Sequence, residues 1–314
     1  MQKLFNSIVS KGVKDNTYKF ALTKFLLDYA HEYQESDVCQ ISYNDIAKKF
    51  LEYYWFQECK YKLKQDFKIE RMPMVIRIIR KYCGEEYIPQ SYEKYFKNKQ
   101  DIKTKMINEI EKACLQDVIP RLQPKDTYEF YRHFHTLSSS GRKYKLPSKD
   151  NRFIELTRES LRFFHDNYNE LSKILIYEWA KFLEKTNFTP MLISKIEGLG
   201  LNNRTSLTKY KNILLKQMDT KCFYCDKDIE SNDIHIDHFI PWSYVYEDSI
   251  WNLVISCSEC NLKKSDYLAP KKCVEKIEDR NTRYGLNIYN KDIMEYYISC
   301  NKAGFLSIKY LECI

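Results

Sequence analysis

The sequence predicts a mainly α-helical chain with a small α+β part in its last third, on three observations. Apolar residues recur at helical spacing through residues 1–216. Glycine and proline are scarce, 7 and 8 among 314 residues. Two Cys-x-x-Cys pairs then bracket short alternating runs near the C-terminal end. With hydrophobic residues at 44% and aromatics at 15%, the chain has the material for a real core, and its length suits roughly two domains.

The elements follow in order. In TYKFALTKFLLDYAHEY (17–33), Phe20, Phe25, Leu26 and Tyr29 share one stripe, as an amphipathic helix requires. SYNDIAKKFLEYYWF (42–56) opens on Ser42, a suitable N-cap, and RMPMVIRIIRKYCG (71–84) follows Pro73 and stops at Gly84. DIKTKMINEIEKACLQDVIP (101–120) is expected to close before Pro120, which has no N–H to give. The helices on either side of VCQIS, with 71–83 after them, have helix-turn-helix spacing. YEFYRHF (128–134) and NRFIEL (151–156) read as strands around a polar, basic loop, SSSGRKYKLPSKD. Helices resume with Thr157 capping 158–168, a run over 170–185, Thr189-Pro190 opening another, and Thr205 or Ser206 opening SLTKYKNILLKQM.

Charge divides the chain. The net +8 splits into +12 over residues 1–216 and −4 over 217–314. A cationic front suits a polyanionic partner, so 1–216 is expected to be a basic, mostly helical DNA- or partner-binding region, followed by a second domain over 217–314 with C-terminal helices. Residues 60–81 carry eight basic and two acidic side chains and are the best phosphate-gripping stretch in that front; the competing reading is a solvated face. No run of 18 apolar residues and no secretory signal are visible, so a soluble, cytoplasmic protein without membrane partners is expected. Cys39, Cys59, Cys83, Cys114, Cys273, Cys300 and Cys313 lack paired spacing and read as buried or incidental thiols.

Cys222 and Cys225 form one knuckle and Cys257 and Cys260 another, with 31 residues between the pairs. Two such pairs match tetrahedral zinc held by four thiolates, which leaves no open position for water; this ion is expected to be structural. A module of about 50 residues needs such a staple, because its core alone is too small. Between the knuckles, DIHIDHFIP reads as a strand that Pro241 turns, SIWNLVIS as a second strand, and CSECNLKKSDYLA (257–269) as a helix start. This is a ββα-metal order.

Those residues resemble the HNH endonucleases, or ββα-metal nucleases, over about 222–269. "IDHFIPWS", "WNLV" and "CSECNLKKSD" stand where that family has its Asp-His pair, its central Asn and its final His or Asn. Ending on Asn, the segment looks like the HNH domains of RNA-guided CRISPR nucleases, although those lack the knuckles. Residues 140–216, with YEWAKFLEKTN, look like the region preceding HNH in some bacterial proteins of phage defence.

The resemblance implies hydrolysis of phosphodiester bonds of DNA, double-stranded, leaving 5′ phosphate and 3′ hydroxyl ends, in restriction or anti-phage defence. Chemical need assigns the parts. His238 is the general base; Asp237 and Asn261 offer hard oxygen ligands to a catalytic Mg²⁺ or Mn²⁺. Asn252 is expected to tie the loop behind His238. Lys263 and Lys264 would contact a backbone phosphate, and of the two the resemblance implies Lys264, because the family places a lysine there. Trp242 and Trp251 read as core aromatics, and His31, His133, His135 and His165 as satisfied structural residues. His235 stays open between an extra ligand and a surface residue. Neighbouring strand residues face opposite ways, so Asp237 and His238 serve one phosphate only where the strand ends or twists. Two other readings compete: a non-catalytic zinc-containing nucleic-acid-binding or adaptor protein, and a nuclease subunit active only with a sensor or ATPase partner.

Overall fold

The computed structural model describes residues 1–11, 16–33, 38–65, 72–84, 91–124, 127–198, 206–286, 292–308 and 311. The chain is mostly helical, with small sheets of short strands, and folds as two compact units, Met1–Thr186 and Asn187–Ile314.

In the first unit, α1 (Gln2–Asn6) runs into a π-helical turn, followed by α2 (Tyr18–Glu32), β1 (Val38–Ser42) and α3 (Tyr43–Trp55). The Ser42 hydroxyl accepts from the Asp45 amide at 3.1 Å, which starts α3 where the sequence places its cap. Next come α4 (Met74–Cys83), preceded by Pro73 and ended by Gly84 at φ 81°, then α5 (Tyr92–Phe96) and α6 (Gln100–Leu122). Helix α6 runs through Pro120 instead of stopping before it. In the last turn a proline forfeits one hydrogen bond, and Ile119, Pro120 and Leu122 all stay buried.

β2 (Tyr131–Arg132), β3 (Thr136–Leu137), β4 (Tyr144–Lys145) and β5 (Phe153–Thr157) precede α7 (Arg158–Asp166), capped by the Thr157 hydroxyl, and α8 (Tyr168–Leu183). The basic loop is therefore a hairpin, β3 against β4, and only two residues of 128–134 are strand. VCQIS is not a turn: it is β1, antiparallel to β5 from Val38↔Thr157 to Ser42↔Phe153, in a sheet of order β1-β5-β2. With a strand where the turn would stand, α2 and α3 are not joined as a helix-turn-helix; α3 buries Tyr43, Ile46, Ala47, Phe50, Leu51, Tyr53, Tyr54 and Trp55 and leaves Asp45 and Lys48 exposed. Helix α3 packs on α6, α2 and α4, and Phe20 of α2 stacks on Trp179 of α8 with centroids 5.7 Å apart. Of the basic stretch 60–81, residues 66–71 lie outside the described residues, as does Thr205.

The second unit contains α9 (Leu192–Glu197), α10 (Thr208–Gln217), β6 (His235–His238), α11 (Trp242–Val245), β7 (Leu253–Ser256), α12 (Ser258–Lys264), α13 (Cys273–Arg283) and α14 (Ile293–Lys302). Compactness divides the chain before α9, not at 216/217 where charge changes sign, because Leu214 of α10 is buried in the second unit's core. That core joins Leu214 to Tyr224, Phe239, Trp251, Leu253, Val274, Ile277, Ile293, Tyr297 and Phe305. Trp242 and Trp251 are core aromatics, at 6% and 2% exposure. Cys39, Cys59, Cys83, Cys114 and Cys300 stand outside any disulfide, whereas Cys273 is disulfide-bonded, and Cys313 lies outside the described residues. Among the described residues no helix is long and apolar enough to cross a membrane.

Candidate functional site

The site is assembled on the β6–β7 hairpin and α12. The strands pair antiparallel in the register His235↔Ser256, Ile236↔Ile255, Asp237↔Val254 and His238↔Leu253, and α12 packs against β6.

The first knuckle is a tight turn in which the Asp226 amide donates to the Cys222 carbonyl at 2.9 Å, with Asp226 at φ 58°. The second is the start of α12, where Cys257 is the N-cap residue and Asp233 Oδ1 accepts from the Ser258 amide at 3.2 Å. The amide of Phe223 donates to the Ile255 carbonyl at 2.8 Å and stitches the first knuckle to β7. The result brings the sulfurs of Cys222, Cys225, Cys257 and Cys260 within 4.8 Å of one another, Cys225 and Cys257 standing 4.0 Å apart. Zinc–thiolate bonds of about 2.3 Å imply edges of about 3.8 Å, so the cluster fits a tetrahedral zinc. Burial, and then the neighbouring sulfurs, push the Cys260 thiol up.

Asp237 and His238 are the last two residues of β6. The Asp237 carboxylate turns inward, 7% exposed; its Oδ2 accepts from the Tyr224 hydroxyl at 2.6 Å and pairs with Lys264 Nζ at 3.1 Å. Burial and the adjacent Asp237 charge hold the Tyr224 phenol well above its ordinary range, so it stays a donor. Among the described residues, Asp237 Oδ1 carries no hydrogen bond, and neither does the side chain of half-buried Asn261 on α12. Two unspent oxygens, a carboxylate and an amide, are the donor chemistry that a hard divalent cation takes.

His238 is the last residue of β6, its side chain 15% exposed. Its Nε2 lies 2.9 Å from Asp248 Oδ1, and Nδ1 has no hydrogen bond among the described residues. Behind it, fully buried Asn252 accepts from the Ile240 amide at 2.7 Å and donates to the Ile240 carbonyl at 2.9 Å. Lys264 is 0% exposed, and its ammonium donates to the His238 carbonyl at 2.6 Å. The phosphate contact expected of Lys264 thus has no surface to act from. Of the pair it is Lys263 that reaches solvent, bonded to Glu259 at 2.6 Å. His235 is exposed, with its Nε2 3.8 Å from Asp233 Oδ1.

Two residues of the site, Tyr224 and Asp248, and the inward direction of Lys264 escaped the sequence reading. Helical spacing held a signal for one of them, since Lys264 follows the buried ligand Cys260 by four positions and shares its face. Nothing local marked Tyr224 or Asp248. Of the four histidines set aside, exposed His31 stacks on Tyr168 with centroids 4.1 Å apart, His165 Nδ1 meets the Ala30 carbonyl at 3.2 Å, and burial lowers His133, and His135 to about 3; the buried Nε2 of His135 has no hydrogen bond among the described residues, so that histidine is not fully satisfied.

Strand, strand and helix closed by four cysteines define a zinc-knuckle ββα module. Residues 222–269 match the HNH endonuclease family model, and this module is of the HNH type. That similarity implies a nucleic-acid substrate. Neither a search of curated proteins nor one of solved structures found a match.

Proposed function

We propose that this protein is a divalent-cation-dependent endonuclease that hydrolyses phosphodiester bonds of DNA at His238. The observation that carries the reading is a half-buried imidazole at the end of β6, one nitrogen engaged and the other open, inside the HNH match. In this reading His238 takes a proton from the attacking water, and Asn252, through Ile240, keeps the loop behind it in place. Asp237, through Oδ1, and Asn261 would hold a Mg²⁺ or Mn²⁺, while Asp237 Oδ2 stays with Tyr224 and Lys264. When bound, that ion supplies Lewis-acid stabilisation of the charge on the phosphate and the departing oxygen. The zinc holds the knuckles and takes no part in the reaction. The basic surplus in residues 1–216 supports a grip on DNA or a docked sensor partner, and restriction or antiviral defence is the role we assign.

Plasmid nicking in Mg²⁺ or Mn²⁺ tests the proposal: the wild type should cut, and His238→Ala and Asp237→Ala should not. Equal cutting by wild type and His238→Ala refutes it. One observation favours a second reading, a non-catalytic nucleic-acid-binding module: Lys264 already neutralises one oxygen of Asp237. That reading expects DNA binding indifferent to Asp237→Ala and no cutting in any metal.

A further inference from the structure

Asp248 lies in the turn between α11 and β7, and its carboxylate Oδ1 is 2.9 Å from His238 Nε2. Both side chains are largely covered, 15% exposed for His238 and 18% for Asp248, so the contact is shielded from competing water. The turn is anchored from outside the family match: Tyr210 of α10 donates its hydroxyl to the Asp248 carbonyl at 2.6 Å. On the other side, Lys264 holds the His238 carbonyl at 2.6 Å and Asn252 holds both polar atoms of the Ile240 backbone. The imidazole is thereby fixed at its backbone and at one ring nitrogen.

A carboxylate accepts hydrogen bonds and, ionised, donates none. The nitrogen facing it must therefore carry the hydrogen, and the lone pair of a neutral ring falls on the other nitrogen. We propose that Asp248 is a positioning residue, held by Tyr210, that sets His238 in the Nε2–H tautomer and leaves Nδ1 as the atom that takes the proton of the attacking water. This rests on the nuclease reading above. In the step, a water O–H bond breaks and Nδ1–H forms while the oxygen attacks phosphorus. The P–O bond to the leaving group breaks with its electron pair going to that oxygen, which takes a proton from solvent. The imidazolium then returns its proton to solvent.

Two measurements on the full chain test it. Long-range ¹H–¹⁵N correlation at a pH where the ring is neutral, with His238→Ala assigning the signal, should show Nε2–H in the wild type. Asp248→Ala should give a mixture of tautomers, and Asp248→Asn, whose amide oxygen can still accept, should restore Nε2–H. In the nicking assay Asp248→Ala should lower kcat about 10- to 100-fold with KM little changed, and Asp248→Asn should recover part of the loss. Should Asp248→Ala not fold, Tyr210→Phe, which loses one hydroxyl, should move a fraction of His238 to the other tautomer and lower kcat severalfold. An Nδ1–H tautomer in the wild type, or tautomer and kcat indifferent to Asp248→Ala and Tyr210→Phe, overturns the inference. A wild type that cuts nothing while its tautomer responds as stated overturns the nuclease reading and leaves the assignment of Asp248 standing.

Discussion

Replacing Lys264 by alanine separates a buried brace from a phosphate contact. The ammonium is 0% exposed and lies between the His238 carbonyl, at 2.6 Å, and Asp237 Oδ2, at 3.1 Å. Its removal leaves a carboxylate buried with only Tyr224 for a partner, and a carbonyl without its donor. Breaking one side of a buried ion pair costs about 3–5 kcal/mol, and an orphaned buried acceptor about 1–3 kcal/mol. The two overlap, so a loss of about 4 kcal/mol is expected, a large share of the ~5–15 kcal/mol that holds a typical domain. Urea unfolding followed by tryptophan fluorescence reads it as a lower midpoint at unchanged slope. Lys264→Met should lose nearly as much, because it keeps the stem and removes the charge. The pair Lys264→Met with Asp237→Asn should regain most of the loss, since no charge is left unpaired. Lys263→Ala, on the exposed side of α12, should unfold like the wild type. If Lys264→Ala unfolds like the wild type and loses DNA affinity instead, the ammonium serves a phosphate, and the brace argued from its burial is wrong.

Stripping zinc with a chelator, or Cys257→Ser, should unfold the second unit, since a structural zinc contributes on the order of 10 kcal/mol; loss of the near-ultraviolet dichroism of Trp242 and Trp251 together with metal release measures it. Asn252→Ala should destabilise by about 2–4 kcal/mol in urea, because both polar atoms of the buried Ile240 backbone lose their partner. Lys195 is buried, its ammonium nitrogen on the Tyr244 carbonyl at 2.6 Å and the Thr189 hydroxyl, and burial lowers its pKa from 10.5 to about 7. Between those values the unfolded chain binds more protons than the folded one, so this group makes stability rise with pH from about 7 to 10.5 and takes that gain away as pH falls to 7. The difference in unfolding free energy between wild type and Lys195→Met, followed across that window, should climb by a few kcal/mol. A flat difference would show that Lys195 is solvated.

The knuckles, the caps at Ser42 and Thr157 and the strand–strand–helix order were legible in the sequence because each is a local pattern: a ligand spacing, a hydroxyl ahead of an apolar run, an alternation ended by proline. The pairing of VCQIS with residues 153–157 was not, because a strand five residues long carries no mark of a partner more than a hundred positions away. Residues that only support a site were hidden for a related reason. Tyr224 is a knuckle residue between two ligands, and Asp248 one of two acids in a turn; either becomes meaningful only when a second segment arrives beside it.

Sequence by itself therefore determined the chemistry on offer: four thiols for a zinc, an Asp-His pair, two asparagines, and helices around them. Tertiary structure decided how each group is used. It buried Lys264 under β6, turned Asp237 toward Tyr224 and set Asp248 against His238. Side-chain type is written residue by residue, whereas burial and the partner across a hydrogen bond exist only once distant segments are packed together.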